Sequence, residues 1–391
     1  MQEISRKNQF FFLFIILSMC SGITIGMNKI LITLLGLSLH LENWQMGLIN
    51  GAESFAMALA TLPAGLLLAA YSPRVIYAIA SLLLVIIFLC IGQIKFWSFL
   101  PALMTIAGFC IAFRIVAMSS SFMQRLPEIG KQWAGWYKGS LSLGIMAVGP
   151  LLGQWFADNL TLNQAFFISA SFFSVMAILG WFTLPSAQQK KSTSRSNGWF
   201  ETLWQNQSLR QICIYEAFGS CIGAFFGAFL LVIVLREYQW QSSDGVLLLV
   251  SYGCVYVSLL LGGGNLLVNY SSERLYYISH AALVAGGLLL AFAASPELFF
   301  IGVICNGIGL GLNNLINMSR IANLNLNKSH ASGILTMGQM LGGTSGAVLG
   351  GMLGDVIGLQ NVFIVLILPW IFLLLTSKQN SSTDDSAESI H

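Results

Sequence analysis

Residues 149–168, GPLLGQWFADNLTLNQAFFI, and residues 346–365, GAVLGGMLGDVIGLQNVFIV, carry the same pattern of glycines and apolar residues. Each segment has an aspartate at the same place, before a further apolar stretch. The positions that are identical 197 residues apart are Gly149 and Gly346, Leu152 and Leu349, Gly153 and Gly350, Asp158 and Asp355, Leu162 and Leu359, and Phe166 and Phe363. Similarity that recurs at a fixed offset indicates internal duplication. The chain is therefore predicted to consist of two related halves.

Weaker matches recur at nearly the same offset. YSPRVIY from Tyr71 resembles YSSERLYY from Tyr270, and Gly22 with Gly26 corresponds to Gly223 with Gly227. The matches fall at equivalent places in each half, which favours a repeat of six helices over chance apolar similarity.

The amino-acid composition indicates whether the chain folds in water or in a membrane. Of 391 residues, 56% are hydrophobic and 8% are charged, whereas soluble domains carry about 25% charged residues. A water-soluble fold is therefore excluded. The net charge of +3 provides no basic surface for a nucleic acid partner. The seven cysteines lie in apolar runs, which argues against a disulfide framework or a zinc site.

Apolar runs long enough to cross a bilayer number twelve, since a span needs about 20 residues. The predicted spans are residues 10–37, 44–70, 75–94, 97–123, 133–157, 163–184, 209–235, 244–268, 275–294, 298–318, 331–354 and 359–376. The first run follows basic residues as a signal peptide does, but it continues past Lys29 without a cleavage pattern. An all-α membrane protein with twelve transmembrane helices is predicted.

Basic residues outside these spans predict the orientation, because cytoplasmic loops retain Lys and Arg. With both termini cytoplasmic, thirteen of the 18 basic residues lie inside: Arg6, Lys7, Arg74, Arg125, Lys131, Lys190, Lys191, Arg195, Arg210, Arg274, Arg320, Lys328 and Lys378. Only Lys95 and Arg236 face outward. Lys29, Arg114 and Lys138 lie within the membrane.

The spans divide six and six around a polar stretch that contains SAQQKKSTSRSNG. We predict an N-terminal six-helix bundle over residues 1–185, a cytoplasmic linker over 186–208 and a C-terminal six-helix bundle over 209–377. Within the linker, WFETLW at 199–204 is expected to form a short interfacial helix. The tail, 378–391, is rich in Ser, Thr and Asp and is predicted to be disordered.

Predicted helix 5 carries the most informative motif. Gly135, Gly144, Gly149, Pro150 and Gly153 read G-x8-G-x4-G-P-x2-G. The motif resembles the glycine and proline motif of proton antiporters in the major facilitator superfamily, although the second spacing is one residue longer and Gln154 replaces the final glycine. An alternative is generic helix packing, because small residues let helix backbones approach closely.

Two further segments bear on this resemblance. GLLLAAYSPR at 65–74 matches the family's loop after helix 2 at Gly65 and Arg74, with Ala69 in place of its aspartate, and Glu273 with Arg274 occupies the equivalent loop of the second half. These loops are expected to form cytoplasmic gates. Arg114 matches the arginine of the family's helix-4 motif.

The resemblance implies two pseudo-symmetric bundles around a central substrate cavity, with helices 3, 6, 9 and 12 on the outside. It implies a secondary transporter that works by alternating access, most simply a proton-coupled exporter of a drug, a siderophore or another metabolite. Uptake by proton symport remains the alternative.

Ionisable residues in the middle of a membrane span are candidates for function, because inserting each one costs about 2.5–3.5 kcal/mol of free energy. They are Lys29, Glu53, Arg114, Lys138 and Glu216. Glu53 has two interpretations: a fixed ion pair with Lys29 or Arg114, or a carboxyl that exchanges a proton and is tuned by Arg114. Glu216 is a second candidate for proton coupling, unless its side chain snorkels to the interface.

Amide side chains mark predicted helix 10. Asn306, Asn313 and Asn317 share one helical face, with Asn314 beside it. They are candidates for substrate contact or for hydrogen bonding between helices. Asn28, Lys29, Lys138 and Gln339 are further candidates for the cavity lining, and Asp158 and Asp355 are expected to be caps or loop anchors.

An integral membrane enzyme is the main competing class. The four histidines, His40, His280, His330 and His391, lie far apart, and the sequence has no metal-ligand spacing and no phosphate-binding loop. We therefore expect no enzyme activity, no metal site and no cofactor, with a proton gradient as the energy source. The expected partners are a small organic solute, protons and the lipid bilayer, for a monomer in a bacterial inner membrane.

Overall fold

The computed structural model describes residues 2–129, 134–186, 203, 206–324 and 328–388, and these ranges contain helices and no strand. The first six long helices are α1 (Gln2–Ser38), α2 (Asn43–Ala70), α3 (Pro73–Gly92), α4 (Leu100–Ile129), α5 (Ala134–Leu143, the π-helical turn Gly144–Val148 and Gly149–Asn159 in one run) and α6 (Leu162–Thr183). The remaining six are α7 (Gln207–Arg236), α8 (Ser242–Gly262), α9 (Ser272–Phe292), α10 (Pro296–Asn323), α11 (Lys328–Ile357) and α12 (Leu359–Glu388). Two short helices, Trp97–Phe99 and Gly264–Asn269, precede α4 and follow α8.

Helix length and composition confirm an all-α, multi-pass membrane protein. Within the described ranges, ten helices are long and apolar enough to cross a membrane, and α12 contributes a shorter apolar stretch, Leu359–Leu375. The figure of twelve spans stays a prediction, as does the cytoplasmic location of both termini.

Polar residues begin several of these helices where the chain turns. Thr161 accepts a hydrogen bond from the backbone N–H of Gln164 before α6. Ser271 does the same for the N–H of Arg274 before α9. Such caps satisfy N–H groups that have no partner within the helix. The turns therefore lie where the sequence places its short polar segments.

Glycines bring α1 and α5 into backbone contact. A Cβ atom on Gly22 or Gly26 of α1 would clash with the carbonyl oxygens of Leu141 and Ile145 on α5. In the second half, a Cβ on Gly342 or Gly346 of α11 would clash with the backbone of α7. Backbone contact therefore joins both α1 to α5 and α7 to α11. The predicted counterparts of Gly22 and Gly26, namely Gly223 and Gly227, do not take part in it, because a Cβ at either meets no backbone atom within 4 Å.

Two helix pairs provide most of the contact between the halves, namely α2 with α11 and α5 with α8. At the first contact, Gly47 packs on the backbone of Ala347, and Gly351 packs on the carbonyl of Asn43. At the second, Gly253 of α8 lies against the backbone of Met146 in the π turn of α5. The positions nearest the partner half are again glycines.

The polar linker and tail differ in how far the structure describes them. The segment proposed as an interfacial helix, 199–204, lies outside the described residues except for Leu203, as does most of the linker. In the tail, α12 continues to Glu388, where the sequence predicts disorder from Lys378. The continuation is physically inexpensive, because extending a formed helix costs far less than nucleating one.

Backbone contact at Gly346 predicts that even one methyl group there is destabilising. A Gly346→Ala change places a Cβ against the carbonyl of Cys221, which cannot move without shifting α7. We expect a loss of about 1–3 kcal/mol of stability, as for other overpacked sites, measured as a lower melting temperature in detergent. The matched control is Gly227→Ala, since a Cβ at Gly227 meets no atom within 4 Å. Equal melting temperatures for the two variants would contradict this account of the packing.

Candidate functional site

A small cavity lies in the first half, and one of its lining residues, Lys29, is exposed. Its polar lining consists of Asn28, Lys29, Asn50 and Glu53, and it has room for about one water molecule. Glu53 is buried. No described residue donates a hydrogen bond to its carboxylate or lies in an ion pair with it within 4.0 Å. The structure thus brings Lys29 and Glu53 to one cavity without a direct ion pair.

The packing of α2 on α4 positions Glu53. A Cβ on Gly108 of α4 would clash with the carbonyl oxygen of Glu53 and would lie 2.9 Å from Cβ of Ala56. The missing side chain at Gly108 therefore lets the two helices approach at the depth of the carboxyl group. This approach holds Glu53 in the interior of the bundle.

Arg114 lies in a separate environment in the same half. Its side chain is 1% exposed, and Nη2 donates to Ser21 Oγ and Tyr77 Oη at 3.0 Å each. The guanidinium lies 4.9 Å from the ring centroids of Tyr77 and Phe173. Its Nε and Nη1 have no hydrogen-bond partner among the described residues. Cation–π contacts and hydroxyl groups, rather than a carboxylate, therefore surround this cation.

The distance along α4 explains why Arg114 does not meet Glu53 in this conformation. Arg114 follows Gly108 by six residues, which is about 9 Å along the helix axis. The ring of Phe173 both contacts Arg114 and lines the Glu53 cavity. Of the two ion pairs considered for Glu53, the structure brings only Lys29 to its cavity.

Glu216 on α7 is at the centre of a second polar cluster. Asn314 Nδ2 donates to Oε1 at 2.6 Å and Asn317 Nδ2 donates to Oε2 at 2.7 Å. The side chain is 3% exposed, so the proposed snorkelling to the interface is wrong. The physical reason is that two amides of α10 supply the hydrogen bonds that water would otherwise provide.

This cluster continues on both sides of Glu216. Lys138 Nζ of α5 donates to Asn314 Oδ1 at 3.1 Å. On the other side, Tyr276 Oη of α9 donates to Asn317 Oδ1 at 2.6 Å. A cation from the first half is thereby connected to a carboxylate of the second half through one amide.

The remaining predicted amides bond mainly to nearby backbone. Asn306 Nδ2 donates to Gly302 O within α10 at 3.2 Å, and Asn313 Nδ2 donates to Tyr215 O of α7 at 3.2 Å. Asn28 Nδ2 donates to the Thr24 carbonyl of its own helix, and its Oδ1 accepts from Ser169 of α6. Gln339 on α11 is half-buried. In this conformation Asn28, Asn306 and Asn313 stabilise helices and helix pairs.

The glycine and proline motif forms the face of α5 that packs on α1. A Cβ on Gly149 would lie 2.7 Å from Ile23 O, and one on Gly153 would lie 2.9 Å from Met27 O. Gly144 begins the π turn that ends just before Gly149 and Pro150, and Gly135 lies in the first turn of α5. Proline has no backbone N–H to donate, so a regular α-helix would lose a hydrogen bond at Pro150. The π turn just before it changes the backbone hydrogen-bonding pattern at this place.

One end of the interface between the halves is closed by a helix cap. Asp355, near the end of α11, accepts from the backbone N–H groups of Asn43 at 3.1 Å and Trp44 at 2.9 Å. Its charge therefore lies at the positive N-terminus of α2. Arg236 of α7 adds hydrogen bonds to Asn43 Oδ1 at 3.0 Å and Leu41 O at 2.7 Å. The predicted cap is confirmed for Asp355, and it crosses between halves.

The equivalent residue of the first half makes a local contact instead. Asp158 accepts from Gln154 of its own helix at 2.7 Å, and the Gln154 amide also donates to Ser242 of α8 at 2.6 Å. Only the second copy of the repeat uses its aspartate as a cap on the opposite half.

The segment after α7 is anchored within its own half. Tyr238 Oη donates to Ala293 O at 2.7 Å and accepts from Gln360 Nε2 at 2.7 Å. Burial raises the pKa of the neighbouring Glu237 carboxyl, against backbone hydrogen bonds from Gln360 and Leu359 that lower it. These contacts hold the end of α7 from which Arg236 extends.

The predicted gate residues remain in their own halves in this conformation. Arg74 at the start of α3 lies 4.8 Å from the Trp181 ring centroid on α6. Gly65 lies in the last part of α2, and Glu273 and Arg274 form the first turn of α9.

Several residues of the two clusters were not predicted as site residues. Tyr276, Tyr77 and Ser21 carry no motif, and only the three-dimensional contacts reveal them. Asn314 was placed beside the predicted amide face rather than on it, although its spacing of three from Asn317 lets both amides reach one acceptor.

The architecture defines a class of protein. Apolar helices in two halves, with charged side chains buried inside and between them, are typical of membrane proteins that move small solutes. Sequence comparison agrees: the chain belongs to the Major Facilitator Superfamily, whose family model matches residues 11–324 and 217–382. No curated protein sequence matches.

Solved structures share the fold at low sequence identity. The crystal structure of the nucleoside transporter NupG has a TM-score of 0.75 at 14% identity, covering 95% of this chain and 98% of that one. A bacterial homologue of the human lysosomal transporter Spinster, inward-facing and occupied, has a TM-score of 0.75 at 12% identity and covers 97% of both chains. A variant of the E. coli fucose:proton symporter FucP has a TM-score of 0.65 at 14% identity, covering 94% of this chain and 97% of that one. These similarities establish the fold.

The cap on α2 predicts different effects for the two repeated aspartates. Asp355→Ala leaves two backbone N–H groups without their acceptor, and loss of a cap costs about 0.5–2 kcal/mol. We expect a lower melting temperature in detergent for Asp355→Ala and a smaller change for the matched control Asp158→Ala, whose contact lies within one helix. A larger decrease for Asp158→Ala would overturn this difference.

Proposed function

We propose that this protein is a secondary active transporter that exports a small organic solute in exchange for protons by alternating access. Drugs and secreted metabolites such as siderophores are the proposed solute classes. In this proposal twelve helices span a bacterial inner membrane, both termini are cytoplasmic, and the monomer is the working unit. Family membership supports transport, and the finer points rest on the arguments below.

The cavity that contains Glu53 is the observation that carries the proposed coupling. A carboxyl group without a fixed donor can gain or lose a proton without breaking a hydrogen bond. Its proton affinity depends on its hydration and on the distance to the Lys29 ammonium that lines the same cavity. A movement that changes either one would change the proton affinity, and this is the requirement for coupling.

Arg114 is proposed to tune this carboxyl group indirectly. In this conformation its guanidinium is separated from the Glu53 cavity by Phe173. Its Nε and Nη1 bond to no described residue, so they are free to donate hydrogen bonds to a carboxylate in another conformation. Glu53 would then have a different cation beside it in each state.

The proposed arrangement of two bundles has support in the packing. Helix α3 packs mainly on α4 and α6, and α9 packs mainly on α10 and α12. Helices α2, α5, α8 and α11 form most of the contacts between halves, and α1, α7 and α10 add smaller ones. This leaves α3, α6, α9 and α12 as scaffold, and it assigns the motions of transport to the other helices.

The direction of transport is proposed from the α5 motif. The resemblance to antiporters favours export, and the close packing of this motif on α1 provides a rigid unit that can move against α8. Proton-coupled uptake is the second candidate, because one solved structure with this fold is described as a fucose:proton symporter. Both candidates use a proton gradient and a central site.

The coupling proposal predicts that Glu53→Gln abolishes transport driven by a pH gradient. Glutamine keeps the shape of the side chain and removes the exchangeable proton, so folding and solute binding should persist. The measurement is solute flux in reconstituted vesicles under an imposed pH gradient, after the solute is known. The control is Glu297→Gln, because Glu297 lies exposed at the start of α10. Full pH-driven flux in the Glu53→Gln protein would remove Glu53 from the mechanism.

The direction proposal predicts the outcome of deleting the gene. Loss of an exporter should raise the intracellular level of its solute and lower the secreted level, as measured by an untargeted comparison of metabolites inside and outside the cells. Complementation with the intact gene is the control. A lower intracellular level after deletion would favour uptake instead.

A further inference from the structure

The contact between Lys138 and Glu216 is indirect and passes through a single amide. Lys138 Nζ donates to Asn314 Oδ1 at 3.1 Å, and Asn314 Nδ2 donates to Glu216 Oε1 at 2.6 Å. Lys138 belongs to α5 of the first half, whereas the other two residues belong to the second half. This connection joins helices of opposite halves through polar groups that are partly or fully buried, in contrast to the glycine contacts of α2 with α11.

The charges at the two ends determine how the amide is oriented. An ammonium group can only donate and an ionised carboxylate can only accept. Asn314 satisfies both only when its oxygen faces Lys138 and its NH2 faces Glu216. Asn317 occupies the other carboxylate oxygen and is itself held by Tyr276. The carboxylate is therefore fixed in position, and Asn314 is the movable link toward the first half.

Loss of either charge removes the reason for this orientation. A protonated Glu216 would carry its own O–H donor, so the Asn314 NH2 group would no longer be required there. Rotation of the amide would turn NH2 toward the ammonium, where two donors would face each other. The protonation state of Glu216 on α7 therefore changes the contact with Lys138 on α5, because it changes the orientation of the Asn314 amide.

We propose that Lys138, Asn314 and Glu216 form a charge-dependent tether that holds α5 of the first half against α10 of the second and releases it when either charge is lost. This inference rests on the proposed alternating access. In that mechanism, the three residues would keep one face of the protein closed. Asn314 acts as the positioning residue, since it acts only through the other two.

Other groups around the carboxylate belong to this proposal. The charged or titratable side chains near Glu216 include Lys138 of α5, Cys213 of α7, Tyr256 of α8 and Tyr276 of α9, with Arg320 of α10 beyond Tyr276. The rings of Tyr215 and His280 pack on Tyr276. Arg320 lies over the Tyr276 ring, 5.6 Å from its centroid. Of these two cations, Lys138 alone comes from the opposite half.

The test measures opening of the interface without any transport. Ser142 lies one turn beyond Lys138 on the same face of α5, so Ser142→Cys reports whether water reaches this face. The readout is the rate at which a water-soluble maleimide labels this thiol in purified protein, above the labelling of protein without the added cysteine. In this background we compare Lys138→Met, Asn314→Leu and Glu216→Gln.

We expect each of the three changes to raise the labelling rate several-fold. Because all three break the same chain, the double variant Lys138→Met/Glu216→Gln should label no faster than either single variant, as for residues that act as one unit. The double variant also leaves no unpaired buried charge. If a single variant fails to fold, the double variant and Asn314→Leu should still label alike.

The control is Glu297→Gln in the same Ser142→Cys background, because Glu297 is exposed at the start of α10 and lies outside the tether, so this change should leave the labelling rate unchanged. Because labelling requires neither solute nor a proton gradient, failure of the proposed export and failure of the tether are distinguishable. Unchanged rates in the three variants, a rise in only one of them, or an equal rise in Glu297→Gln would overturn the tether. Loss of solute binding without a change in labelling would make these residues a binding site instead.

Discussion

The hydrocarbon core of a bilayer cannot hydrate a charge or a peptide group, and most of the architecture follows from this constraint. Every backbone polar group must find its partner within the chain, so helices are the only elements present in the described residues. Helices in lipid gain little from hiding apolar surface, and their association depends on close packing. The glycines of α1, α5 and α11 supply that packing by allowing backbone contact.

The same constraint explains how the buried charges are accommodated. Arg114 is surrounded by two aromatic rings and two hydroxyl groups, and Glu216 is held by two amides. Each ion is stabilised by neutral dipoles or π faces rather than by an adjacent opposite charge. Neutral partners retain a charge without locking two helices together as firmly as a direct ion pair would, which suits the alternating access proposed above.

Much of the fold could be predicted because its signals are local. Apolar runs, polar turns and the repeat around Gly149 and Gly346 depend on residues that are near in sequence or at one fixed offset. The helix-5 glycines were likewise recognisable as a packing surface. The continuation of α12 to Glu388 could not be predicted, because composition alone does not include the low cost of extending a helix that has already formed.

The site was only partly predictable, because side-chain contacts depend on the rotation of each helix. Charge content identified Glu53, Arg114 and Glu216 as unusual, yet it did not distinguish a cavity from a hydrogen-bonded cluster. The prediction that Glu216 snorkels failed because amides of α10, about a hundred residues away in sequence, satisfy the carboxylate. Tyr276 and Ser21 could not be identified at all, since a single hydroxyl on an apolar helix is common.

The unequal use of Asp158 and Asp355 has a consequence for the whole molecule. Exactly equivalent halves, related by an axis along the membrane normal, would join α2 to α11 and α8 to α5 with the same contact. The structure makes these two contacts unequal. The carboxylate of Asp355 caps α2 at the first, whereas a neutral hydrogen bond from Gln154 to Ser242 lies at the second. A difference of about 1–2 kcal/mol changes an equilibrium constant about 5–30-fold. One divergent pair of side chains in a duplicated sequence is therefore enough to give two matching seams of the molecule different strengths.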